Sequence, residues 1–184
     1  MRLVFLDRDG VINRFPGKGV YVVRESDFRF LPGALGGIRV LTKAGFRLVV
    51  VSNQGCVSRG LISKAGLMRL TRRMLERVQA AGGRIHKVYY CVHQKSDRCR
   101  CKKPKTFFFK KTIKGLRLKP RDIYFIGDSE EDVLAGHAIG CQTILVLSGR
   151  SKKKDARTFF KRPHVIKKDL GEAARWILRN QKKS

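Results

Sequence analysis

A doubly wound α/β fold built on a parallel sheet is the class that this 184-residue sequence predicts, and three observations point to it. Five short runs are rich in β-branched and aromatic residues, and four of them are almost wholly apolar: LVFLD (3–7), FRLVVVS (46–52), KVYYCV (87–92), IYFIGD (123–128) and QTILVLS (142–148). Runs that stay apolar without alternating suit strands covered on both faces, as in parallel sheets. Segments with helical spacing separate the runs, and strand–helix alternation of this kind lays successive strands parallel. Finally, polar residues cluster where the strands stop, at the edge where such sheets bind ligands.

Taken in order, the first strand ends in Asp7, followed by Arg8, Asp9 and Gly10. A helix over about 33–44 follows LPGALGG, and the second strand ends in Ser52, Asn53 and Gln54. A longer helix is expected over 63–81. The third strand runs into a loop of cysteines, a histidine and lysines that reaches Lys103, and a helix over roughly 106–117 comes next. The triplet Phe107, Phe108 and Phe109 there is read as core packing rather than as a stacking platform for bases. The fourth strand ends in Asp128, and the helix over 129–139 opens on Glu130, Glu131 and Asp132, acids favoured at a helix start by the dipole. Asp132 is expected to help orient the site, with Glu130 and Glu131 at the surface. A last helix over 171–181 carries the single Trp. No repeat, low-complexity segment or linker interrupts the chain, so one domain is expected over 1–184.

Composition bounds the partners. Forty-two Lys and Arg against fourteen Asp and Glu give a net charge of +28, a field that attracts polyanions and phosphorylated small molecules without choosing between them. The cations are spread from end to end, and only SKKKDARTFFKR (151–162) and the tail NQKKS form runs, which are read as solvated. No apolar run approaches the ~20 residues of a membrane span, and the N-terminus lacks a signal-peptide pattern, so a cytoplasmic protein is expected. Of five cysteines, three fall within Cys91–Cys101, spacing that suits a metal better than disulfides. Cys56 and Cys141 are expected to be buried or loop thiols, and His86, His137 and His164 to be structural.

The residue types at the strand ends suit phosphoryl transfer. A carboxylate at a strand tip, Asp7, can attack phosphorus, and a second carboxyl two residues on, Asp9, can protonate the leaving oxygen and later deprotonate water. Carboxylates crowded around a phosphate need a hard cation. Asp7 and Asp128, with Asp9 through its backbone carbonyl, make a set suited to magnesium. Ser52 can hydrogen-bond a phosphoryl oxygen, and Lys103 can balance charge in the transition state. Next to it, Cys91, His93, Cys99 and Cys101 supply three thiolates and an imidazole, a closed set suited to structural zinc.

Four stretches, FLDRDGVIN (5–13), VVVSNQG (49–55), CKKPK (101–105) and IGDSEED (126–132), resemble in order, spacing and strand context the motifs of the haloacid dehalogenase superfamily of phosphatases. The sequence is most similar to the histidinol-phosphate phosphatase-like group and, within it, to the heptose 1,7-bisphosphate 7-phosphatases, over roughly residues 2–150. The resemblance implies a haloacid dehalogenase fold and the roles just described, with Asn53 and Lys102 facing the substrate, and it implies a zinc cage that staples the loop before the motif lysine. Lys102 and Arg59 are the candidates for a second phosphate. Lys102 stands where the family usually has Arg, Ser52 where Thr is common, and NQGC replaces NQSG, placing Cys56 near the rim. The gaps between motifs, about 40 to 50 residues, leave no room for a cap domain. The expected substrate is a small phosphorylated sugar, and nothing demands more than a monomer. The competing readings are a histidinol-phosphate phosphatase, a polynucleotide 3'-phosphatase favoured by the charge but lacking the zinc cage, and an inert scaffold for a polyanion.

Overall fold

Among the residues that the computed structural model describes, 2–181, six parallel strands form one sheet. The tail lysines Lys182 and Lys183 lie outside that range. The strands are β1 (Arg2–Leu6), β2 (Phe46–Asn53), β3 (Lys87–Cys91), β4 (Ile123–Gly127), β5 (Gln142–Val146) and β6 (Val165–Lys167). Their order across the sheet is β3-β2-β1-β4-β5-β6, the doubly wound arrangement. Five helices cover it: α1 (Ala34–Lys43), α2 (Lys64–Ala80), α3 (Phe107–Ile113), α4 (Glu130–Ala138) and α5 (Leu170–Gln181).

The two-residue period of the strands divides the core. Val4, Leu6, Leu48, Val50, Tyr124 and Ile126 face α1, α2 and α5, where Ile38, Met74 and Ile177 meet them. Leu3, Phe5, Val49, Val51 and Phe125 face the other way, onto Phe109 of α3 and Ala135 of α4. Each large side chain fully buried here contributes roughly 1.5–3 kcal/mol relative to exposure. The chain winds from β1 outward to β3 and returns at β4 on the other flank of β1. The loops after β1 and β4 therefore diverge and open a crevice beyond their carboxyl ends.

Three details depart from the sequence expectation. β6 has only three half-buried residues at the sheet edge, too few to read as a strand pattern. α3 stops at Ile113, four residues short of the expected end, because the chain turns at Gly115, whose φ is +79. The Phe triplet is also split: Phe109 is fully buried, whereas Phe107 is 46% exposed.

Candidate active site

β1 delivers Asp7 to the crevice, where its Oδ1 accepts from the backbone N–H of Arg8 at 2.7 Å and lies 2.9 Å from Lys103 Nζ. The same ammonium donates to Asp132 Oδ1 at 2.6 Å. Asp132 sits on the first turn of α4. Its other oxygen accepts from Asp128 N, Ser129 N and Ser129 Oγ at 3.1, 3.1 and 2.6 Å. With both oxygens so engaged, Asp132 fixes the turn after β4 and the lysine together. Asp128, at the end of β4, accepts through Oδ2 from Arg150 N at 2.7 Å. Its carboxylate packs so closely on Gly10 and Gly149 that a Cβ at either would lie 2.1 or 2.0 Å from Oδ2, and Gly10 also holds a left-handed φ of +82.

The charges are unbalanced. Three buried carboxylates, Asp7, Asp128 and Asp132, bring oxygens within 4.8 Å of one another around a single ammonium. Burial pushes the Asp7 carboxyl up to about 6, with Lys103 pulling it down and Asp132 adding to the rise. Burial, then Asp7 and Asp132, hold Asp128 well above the carboxylate range. Burial alone would lower Lys103, but Asp132 and Asp7 outweigh it and hold the ammonium above its ordinary value. A buried excess of hard anionic oxygen fits a divalent cation.

Asp9 is held by a separate set. Arg8, 1% exposed, grips its carboxylate with Nε and Nη2 at 2.9–3.1 Å, while Asn13 Nδ2 and Gln54 Nε2 donate at 2.8 and 2.7 Å. Gln54 Nε2 also reaches Ser52 Oγ at 3.3 Å, which ties the ends of β1 and β2 together. Asn53 exchanges two hydrogen bonds with the Lys103 backbone, its Oδ1 accepting from Lys103 N at 3.0 Å and its Nδ2 donating to Lys103 O at 3.3 Å. Its amide thus positions the lysine.

These groups line a cleft of about 290 Å³, overhung by the loop Phe15–Tyr21, with Lys102 and Arg150 on its walls. Arg59 is exposed on the turn after β2 and is not among the lining residues. Cys56 is fully buried instead of standing at the rim, its Sγ directed to Gln54. Glu131, expected at the surface, lines the cleft and lies 3.8 Å from Arg150 Nη1.

β3 ends at Cys91, and the following loop folds back so that Cys91, His93, Cys99 and Cys101 bring their ligand atoms within 4.8 Å of one another. Cys91 Sγ is 3.7 Å from His93 Nδ1 and 3.6 Å from Cys99 Sγ, and Cys101 Sγ is 3.3 Å from His93 Nδ1. All the cysteines are free thiols. Burial opposes ionisation of Cys99, but backbone N–H groups of Cys101 and Lys102 aimed at its sulfur hold it down to about 7.

A family model described as HAD-hydrolase-like matches residues 100–173. A D-glycero-beta-D-manno-heptose-1,7-bisphosphate 7-phosphatase of Vibrio cholerae is 36% identical over 80% of this chain and 82% of its own length. One from Neisseria meningitidis serogroup A is 32% identical over 83% and 81%. This chain belongs to the heptose-bisphosphate phosphatase family of haloacid dehalogenase-like hydrolases. The crystal structure of a D,D-heptose 1,7-bisphosphate phosphatase from B. bronchiseptica, complexed with magnesium and phosphate, superposes with a TM-score of 0.90 at 29% identity, covering 98% of this chain and 99% of that one. The sheet carries no additional folded unit among the described residues. Arg150 was not singled out from the sequence, and Glu131 was read only as a surface residue. The signal was present, since Arg150 lies just past the end of β5, the same edge that yields Asp7 and Asp128.

Proposed function

We propose that this chain is a single-domain, monomeric phosphatase that removes the 7-phosphate of D-glycero-D-manno-heptose 1,7-bisphosphate by way of an aspartyl phosphate on Asp7. The observation that carries the reading is the Asp7 carboxylate, held 2.9 Å from Lys103 at the floor of an open, polar cleft. The substrate follows from the family, whose relatives act on that bisphosphate. An Asp7 oxygen bonds to phosphorus as the P–O7 bond breaks, and Asp9 gives its proton to the departing sugar oxygen. Water then attacks the same phosphorus while Asp9 takes its proton, which frees inorganic phosphate and restores Asp7. Arg8, Asn13 and Gln54 hold the Asp9 carboxyl in one place through both steps.

Lys103 and Ser52 stabilise charge on the phosphoryl oxygens, and Asp132 and Asn53 hold the lysine in place. Asp7, Asp128 and the Asp9 backbone carbonyl would hold magnesium, which when bound offsets repulsion between carboxylates and phosphate. Lys18, Lys102 and Arg150 are cationic groups of the cleft available to the second phosphate, with Arg59 in the turn after β2. Cys91, His93, Cys99 and Cys101 would hold one structural zinc. Zn–S and Zn–N bonds of about 2.3 and 2.0–2.1 Å imply ligand–ligand edges of roughly 3.5–3.8 Å in a tetrahedron, matched by Cys91–His93 at 3.7 Å and Cys91–Cys99 at 3.6 Å, with Cys101–His93 tighter at 3.3 Å.

The test is catalytic efficiency on a panel: each anomer of the heptose bisphosphate, histidinol phosphate and a 3'-phosphorylated oligonucleotide. One heptose anomer should exceed the other substrates by at least tenfold. Preference for either alternative would displace the reading.

A further inference from the structure

On the far side of the Lys102–Lys105 loop, between α3 and the end of α4, lies a groove of about 970 Å³ that shares no lining residue with the catalytic cleft. Arg100, Lys105, Lys110, Lys111 and Lys114 surround it, and its lining contains no acid. Among the described residues none of these five cations lies within ion-pairing distance of a carboxylate. The groove also holds Phe107, 46% exposed at the first turn of α3. Its ring meets Phe108 edge-on at 5.5 Å, and Phe108 stacks on Tyr89 at 4.9 Å with an interplanar angle of 16°. The exposed ring is thereby held in place from behind.

We infer that this groove binds a short single strand of nucleic acid, its phosphates on the lysines of α3 and a base stacked on Phe107. Positive grooves with accessible aromatic faces are the physical requirement for single-strand binding, and a duplex would keep its base faces hidden. The side chains of the groove favour this ligand over an acidic peptide. Apart from the cations, Thr106 alone offers a polar side chain there, too little to satisfy a peptide backbone.

The test is fluorescence anisotropy of a labelled 12-nucleotide oligothymidylate with the full, metal-loaded chain, across a salt series. Wild type should bind, and the combined change Lys110→Glu, Lys111→Glu and Lys114→Glu should weaken binding at least tenfold. That change should also make the slope of log affinity against log salt shallower by about 2, at ~0.7 per lost phosphate contact on a single strand. Phe107→Ala should weaken binding about tenfold while leaving the charge unchanged. The matched control is Arg69→Glu, Arg72→Glu and Arg77→Glu, three exposed cations on α2 across the sheet, which should alter affinity less than twofold. Phosphatase activity and unfolding midpoint, compared with wild type, confirm that each variant is folded. Equal losses in groove and control variants would reduce the binding to the diffuse charge and overturn the proposal. So would an indifferent Phe107→Ala, or tighter binding of a polyglutamate peptide or of phosphatidylserine vesicles than of the oligonucleotide.

Discussion

Lys103 touches two carboxylates, and their surroundings divide the work between them. Asp132 has both oxygens engaged by donors inside the fold, whereas Asp7 lines the cleft. Asp7→Asn should therefore abolish turnover, since an amide cannot attack phosphorus, while thermal unfolding stays close to wild type; near-normal rates with added magnesium would remove the covalent route. Asp132→Asn should act indirectly, lowering kcat about 100-fold by releasing the ammonium from its position, with KM little changed. Steady-state kinetics on the bisphosphate make that comparison. That Asp7, Asp9, Ser52 and Lys103 meet at one edge was legible because each lies at or just past a strand end or sits in a motif. The clamp on Asp9 was not, because a buried Arg8 pairing with its own neighbour leaves no trace in spacing. Nor did Asn53 announce that its amide serves the Lys103 backbone, a contact across fifty positions of sequence.

At the scale of elements, the Cys/His loop joins the end of β3 to Lys103, ahead of α3. Cys101 is two residues from Lys103, so the cage and the site share one short stretch of backbone. Purified protein should carry one zinc per chain by elemental analysis. Cys99→Ala should lower both zinc content and kcat while leaving the magnesium dependence of the residual activity unchanged; full activity without zinc would contradict the staple. The major strands and helices were readable from apolar runs and helical spacing, since a sheet covered on both faces leaves few polar interruptions. β6 escaped because an edge strand of three half-buried residues has no pattern to show. The end of α3 escaped because its helical spacing ran past the turn at Gly115.

For the whole molecule the question is what a net charge of +28 does. If the substrate is a sugar bisphosphate, few cations engage it, and salt should lower catalytic efficiency only modestly. Lys152→Glu with Lys153→Glu and Lys154→Glu should change that efficiency less than twofold, because these exposed residues are absent from the cleft lining. A steep salt dependence with a large loss in the triple variant would point to a polyanionic substrate instead. Composition alone could not separate these cases, because it counts cations without placing them. The architecture puts Lys18, Lys102, Lys103 and Arg150 at the cleft and another group around the α3 groove. The most direct measurement of the central claim is phosphorus NMR of D-glycero-D-manno-heptose 1,7-bisphosphate incubated with the enzyme and magnesium. The signal of the phosphate on C7, coupled to two protons, should disappear as inorganic phosphate grows, while the anomeric phosphate on C1, coupled to one, persists. Loss of the anomeric signal, or survival of both, would contradict the account.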